Sequence, residues 1–67
     1  MPAPKRDYYK EIDTALKSLE NYSAYPTKDI HWVCDRIAWA WKWRKINESQ
    51  KDELAERAIA YMEIERG

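Results

Sequence analysis

Glycine is all but missing: Gly67, the final residue, is the only one in the chain. Gly-rich phosphate loops and the dinucleotide fingerprint both need glycine where backbone closes on a ligand, so neither can be built here. Two-residue β-hairpins are disfavoured for the same reason, because their turns use left-handed backbone. Cysteine is as scarce, with Cys34 alone. An internal disulfide is therefore impossible, and a reducing compartment is the better fit. Long apolar runs are missing as well; no segment approaches the roughly 18 residues of a bilayer-spanning helix. The first residues, up to Tyr8-Tyr9-Lys10, lack the apolar core of a signal peptide, which makes the cytoplasm the expected location. Net charge is the last absence. Twelve basic and twelve acidic residues cancel, whereas a dedicated nucleic-acid binder carries a basic surplus that displaces counterions.

What is present is a single domain of 67 residues, near the lower limit at which a chain buries enough surface to fold alone. Chains this short usually need a disulfide, a metal or a partner subunit. Residues 1–3 are expected to be disordered. Apolar residues at Tyr8/Tyr9, Ile12, Ala15/Leu16 and Leu19 recur at three- and four-residue spacing, the mark of an amphipathic helix. Pro4 suits its first turn, and Asp13 with Lys17 forms a favourable i,i+4 pair. Pro26 ends the segment, after which Thr27 is a candidate N-cap with Asp29 in the first turn. The second helix closes on Lys42, Arg44 and Lys45, which suit a negative helix end. Asn47 and Gln50 have the spacing of a capping box for a third helix. The apolar residues of that helix are Leu54, Ala55, Ala58, Ile59, Tyr61 and Met62, with Glu53 and Arg57 paired outside. These patterns predict an all-α fold, a small three-helix bundle with helices over about 4–21, 28–45 and 48–65. A helical hairpin with a loosely docked first helix is the alternative architecture.

Candidate chemistry is thin. His31 and Cys34 at i,i+3, with Asp35 beside them, could approach a metal, but no second histidine or cysteine completes a zinc site. A Cys–His nucleophile fails equally, for want of a third, orienting group. Cys34 reads as a small core residue and His31 as a solvated neighbour. Glu48, Asp52, Glu53 and Glu56 open the third helix, where acids offset the macrodipole and normally lie in solvent. The stretch from Ser49 to Ala58 departs from the helix-turn-helix pattern: Gln50 to Leu54 is one residue too long, and no recognition helix follows. The chain is therefore expected to be no enzyme, with no cofactor and no metal.

The tryptophans point further. "AWAWKWRK", Ala38 to Lys45, holds three of the four. Each helical residue advances about 100°. With Ile30 at zero, Val33, Cys34, Ile37 and Trp41 fall within about 60° of it, a core stripe with Ala38 and Ala40 on its shoulders. Trp41 is thus expected in the core. Trp32, Trp39 and Trp43 lie at roughly 180–220°, with Arg36 at about 240° and His31, Asp35 and Lys42 on the polar flank. Half-exposed, three tryptophans would present about 300–400 Å², the size of the largest apolar patch on a typical monomer. Tryptophan and arginine are also the residues most enriched at interface hot spots.

Trp32, Arg36, Trp39 and Trp43 are accordingly the expected partner-binding residues of a protein–protein interaction module: an adaptor, a small inhibitor or a self-associating subunit. A homodimer is attractive because association adds buried area that one copy lacks. The alternative is single-stranded nucleic-acid binding, with tryptophans stacking bases and Lys42, Arg44 and Lys45 neutralising phosphates. A membrane surface ranks last, because the helix would have to leave its own fold to lie flat.

Overall fold

The computed structural model describes residues 7–22, 24–26 and 28–66, with residues 65 and 66 as backbone only. Pro4, Thr27 and residues 1–3 lie outside the described residues. Three helices follow one another: α1 (Tyr8–Glu20), α2 (Ile30–Lys42) and α3 (Glu48–Arg66). Every pair of helices is in contact, so the chain is a three-helix bundle. The first helix packs on both others, which sets aside the hairpin alternative.

The helix ends are set by short-range hydrogen bonds. Asp7 caps α1, its carboxylate accepting from the backbone N–H of Lys10 at 3.0 Å, so the helix starts at Tyr8 and later than expected. Asp29 caps α2, accepting from Trp32 N–H at 2.8 Å; it is the cap itself and not a residue of the first turn. Asn47 and Gln50 form the reciprocal box before α3. The Asn47 side chain accepts from Gln50 N–H at 2.7 Å, and the Gln50 side chain accepts from Asn47 N–H at 3.1 Å.

Helix α2 stops at Lys42, three residues earlier than expected, in a turn that would normally contain glycine. Arg44 N–H donates to Trp41 C=O at 3.1 Å and Lys45 N–H to Ala40 C=O at 2.7 Å, the bonding of a Schellman motif. Arg44 occupies the left-handed position at φ 57°. A non-glycine residue there costs about 1–2 kcal/mol, partly offset because glycine would loosen the unfolded chain. Arg44→Gly is expected to raise the unfolding free energy by about 0.5–1 kcal/mol, read as a higher urea midpoint.

Tyr8 meets Trp39, and the Lys45 ammonium lies over Tyr8, so the start of α1 adjoins the end of α2. Tyr9 and Asp13 reach Glu53 and Arg57 in the same order, so α1 and α3 run the same way. The buried core comprises Ile12, Ala15, Leu16 and Leu19 of α1; Val33, Ile37 and Ala40 of α2; Ile46 of the second turn; and Leu54 and Ala58 of α3.

Two expectations about helix faces change. Trp41 is 37% exposed and not in the core. Ile59 and Met62, expected on the apolar side of α3, are 51% and 37% exposed. Ile59 lies about 140° round from Leu54, beyond the arc that two neighbouring helices cover.

Across the bundle, Arg57 joins α1 to α3. Its guanidinium donates to Glu20 through Nε at 3.1 Å and Nη2 at 2.7 Å, and to Asp13 through Nη1 at 2.6 Å. Glu53 lies 3.4 Å from Nη1, and the expected Asp13–Lys17 pair forms at 3.1 Å. Arg57 is thus a link between helices, where sequence spacing suggested a surface brace.

Candidate functional site

Helix α2 has two neighbours, so its buried arc is wide and centred on Val33, Ile37 and Ala40. That centre lies about 60° from the stripe built on Ile30. The shift brings Trp32 and Trp39 onto the rim of the core, where both are half-buried and packed against it. Arg36 sits between them at the i,i+4 and i,i+3 positions that share a helix side.

The guanidinium carbon of Arg36 lies 4.3 Å from the Trp39 ring centre, 5.9 Å from Trp32 and 5.8 Å from Tyr8 of α1. Tyr8 and Trp39 are tilted by 47° with centroids 5.5 Å apart. Glu11 stands 3.7 Å from Nη2 of the arginine. The arginine Nε is buried and has no hydrogen-bond partner among the described residues, so the π-faces around it supply the negative potential instead. A cation enclosed by rings gains about 0.5–2 kcal/mol, more as water is excluded. Three of the four expected partner-binding residues are thus brought together, in a stack that also anchors α1 to α2.

Trp43 is the fourth. It caps α2 and is 58% exposed, continuing the Trp32–Arg36–Trp39 column by the helical count. Lys42 Nζ lies 5.7 Å from its ring centre. Lys45 lies over Tyr8, and Arg44 turns the other way, 6.0 Å from Trp41. Lys51 also lies over Trp41, at 4.9 Å. The three cations expected for nucleic-acid contacts therefore surround the end of α2 and split between its two flanks. From Arg36 to Asn47 there are four cations and no acid.

The hollows beside these residues are open. One of about 300 Å³ is lined by Trp32, Asp35, Arg36 and Trp39. Another, of about 440 Å³, lies between α1 and the start of α2 and includes Lys10, Thr14, Lys28 and Trp32. A third, of about 460 Å³, runs over the second turn beside Trp41, Arg44 and Ile46.

Elsewhere the titratable groups serve the fold. Burial, and then the charge of Asp35, pushes the Cys34 thiol above its ordinary value, which leaves little thiolate to act as nucleophile near neutral pH. His31 is exposed. Among the described residues no three His, Cys, Asp or Glu side chains are grouped as metal ligands. Of the opening acids of α3, Asp52 pairs with Lys51 at 2.9 Å, while Glu53 accepts from the Tyr9 hydroxyl and faces Arg57.

Two features were missed from the sequence. Tyr8 completes the arginine stack from another helix, and Ile46 is buried between two polar neighbours. Only Ile46 carried a signal, as the single apolar residue between Lys45 and the cap Asn47. Compared with protein-family models, curated proteins and solved structures, the chain has no match. Among the described residues, no helix is long and apolar enough to cross a membrane.

Proposed function

We propose that this chain is a non-enzymatic protein-interaction module whose contact surface is the outer edge of the Trp32–Arg36–Trp39 column and its exposed end, Trp43. The observation that carries this reading is Trp43: a tryptophan left 58% exposed at the end of a column packed against the core. A tryptophan ring has few rotatable bonds for its area and loses little conformational freedom on docking, one reason such residues dominate interface energetics. Lys42 and Lys45 would form the charged rim. Open hollows and largely paired carboxylates favour binding over catalysis. Cys34, alone and held protonated, suits a reducing cytoplasm, the location proposed here.

The test replaces Trp43 with alanine and, separately, with glutamate. Both variants are expected to keep the wild-type helical signal and to weaken any protein complex by about tenfold or more. Intact complexes in both variants would refute the surface.

A second reading, single-stranded nucleic-acid binding, is favoured by the acid-free run of four cations from Arg36 to Asn47. It requires the logarithm of affinity for an oligonucleotide to fall with log salt at a slope of roughly −2 to −3, as three or four phosphate contacts dictate. Binding insensitive to salt, or none, leaves the protein surface as the reading.

A further inference from the structure

We infer that two copies of this chain exchange their third helices. The turn at residues 43–47 straightens, α2 and α3 join into one helix from Ile30 to Arg66, and each α3 packs on the α1 and α2 of the other copy.

The turn is held against the local preference of its residues. Arg44 stands at φ 57°, which disfavours the closed turn by about tenfold relative to right-handed backbone. From Thr27 to Arg66 the chain has neither glycine nor proline, so nothing in the turn bars a helix. Arginine and lysine are good helix formers, and tryptophan and isoleucine are tolerated. Asn47, through its box with Gln50, is the residue that favours a break. A short connection under strain is the usual hinge of such exchanges.

Heptad register lets the opened chain pack as the closed one does. The buried residues of α2, Val33, Ile37 and Ala40, step by four and then three. In α3 the same steps lead from Leu54 to Ala58 and to Tyr61, which packs on the core. Ala40 and Leu54 are fourteen residues apart, two whole heptads. One unbroken helix therefore carries both stripes on a single face, with Arg44, Asn47 and Lys51 between them. A turn one or two residues longer or shorter would break that register.

In the closed bundle α2 runs antiparallel to both α1 and α3. A two-fold axis through the straightened turn sets the two long helices antiparallel in the same register, so each α2 meets the partner copy's α3 through the contacts it makes now. Trp41 keeps a Lys51 over its ring, from the other copy. The α1 side is kept as well: Trp32, Trp39 and Ile46 follow at seven-residue spacing on the joined helix, so Ile46 stays on the side that α1 covers.

Arg44 and Asn47 are the core positions that enter new surroundings. The two arginines approach each other near the axis, but each is faced by Glu48 of the other copy at about its own level. Polar residues at such positions fix register at a cost in affinity. Exchange also replaces docking within one chain, equivalent to an effective concentration on the order of millimolar, by association of two. Relief of two strained hinges and the polar crossing act in opposite directions, which leaves dissociation on the order of 0.1–1 mM. The dimer carries two tryptophan columns, and so two copies of the proposed contact surface.

The test refolds the full, reduced chain from urea at micromolar and at millimolar concentration and separates the products by size. A dimer is expected after refolding at the higher concentration. Its geometry is read from spin labels on His31→Cys/Glu63→Cys in a Cys34→Ala background, diluted with excess unlabelled chain. The two sites lie within about 20 Å in the closed bundle, where α2 and α3 are neighbours. On a continuous helix they are about 48 Å apart, at 1.5 Å per residue. Arg44→Gly should weaken the dimer about a hundredfold, because glycine suits the left-handed turn and disfavours the joined helix at both hinges. Asn47→Ala should strengthen it about a hundredfold, because the cap is needed in the closed turn alone. Should Asn47→Ala lose its helical signal, Arg44→Gly decides by itself, since it favours the closed bundle.

A wild type that stays monomeric after refolding at millimolar concentration overturns the exchange. So does a dimer whose labels stay at the closed distance, which is two bundles side by side. A dimer unmoved by Arg44→Gly, or not strengthened by a folded Asn47→Ala, overturns it equally. None of these outcomes bears on the Trp43 surface, which Trp43→Ala tests separately.

Discussion

Trp39→Ala is expected to lower the unfolding free energy by about 2–3 kcal/mol, with a smaller loss for Trp41→Ala and less than about 1 kcal/mol for Trp43→Ala in the monomer. A fully buried large aromatic usually costs about 3–5 kcal/mol to truncate; Trp39 is half-buried, which places it below that range. The loss has three parts. The ring leaves the core rim, Tyr8 loses its tilted partner at 5.5 Å, and Arg36 loses the face 4.3 Å from its guanidinium. The buried Nε of Arg36, with no hydrogen-bond partner among the described residues, is then left with only the more distant faces of Tyr8 and Trp32, 5.8 and 5.9 Å from the guanidinium carbon. A domain this small has only about 5 kcal/mol to lose, so a measurable unfolded fraction should appear near 37 °C. Urea melts at several protein concentrations separate this effect from any dimer contribution. Equal destabilisation by Trp43→Ala would place Trp43 in the fold and remove it from the proposed surface.

Arg57→Ala should cost about 2–3 kcal/mol at neutral pH. The guanidinium holds Glu20 through two hydrogen bonds and Asp13 through a third. Removing it leaves the two carboxylates and Glu53 facing one another across the α1–α3 contact. Water reaches the edge of the cluster, which keeps the penalty below that of a fully buried pair. Arg57→Lys should recover only part of the loss, because an ammonium cannot reproduce the forked geometry.

The same cluster sets an acid dependence. Burial alone would push the Asp13 carboxyl up, but hydrogen bonds from Arg57 and Lys17 outweigh it and hold the group below its ordinary value. A carboxylate depressed in the folded state adds stability that is complete above its unfolded value of about 4 and is lost as pH falls through its folded value. Wild type should therefore lose stability below about pH 4. Arg57→Ala should lose less, since protonation also relieves its facing carboxylates, and the gap between the two proteins should narrow on acidification. Urea midpoints at neutral and strongly acid pH measure the gap; one that widens in acid would show that Arg57 does not stabilise the ionised carboxylates.

Both predictions turn on contacts between helices, which is where reading the chain by itself ran out. The reciprocal box of Asn47 and Gln50, the Asp13–Lys17 pair and the turn signals around Pro26 involve residues at most a few positions apart. Their geometry follows from helical pitch and short side chains, so three helices and two breaks were legible from residue spacing. The charge of the α2 end was legible for the same reason. Pro4 and Thr27, in contrast, looked like suitable start signals, yet Asp7 and Asp29 are the caps at the two helix starts. A short carboxylate placed three residues before an available N–H is enough to set the boundary.

The tryptophans lay beyond such local rules. An angular count on α2 gives each ring a direction, and it correctly put Trp32, Arg36 and Trp39 on one side. It cannot say which directions another helix will cover. In a three-helix bundle α2 has two neighbours, and the midpoint between them fell on Val33, Ile37 and Ala40; Trp39 was drawn against Tyr8 and the core rim, while Trp41 stayed partly exposed. The Arg57 cluster joins residues 37 and 44 positions apart, and Tyr8 reaches Arg36 from a separate helix. Periodicity along the chain was enough to specify each helix and its broad apolar side. Which aromatic rings became core and which stayed exposed depended on how three amphipathic cylinders rotated to exclude the most water together, a free energy that no single segment contains.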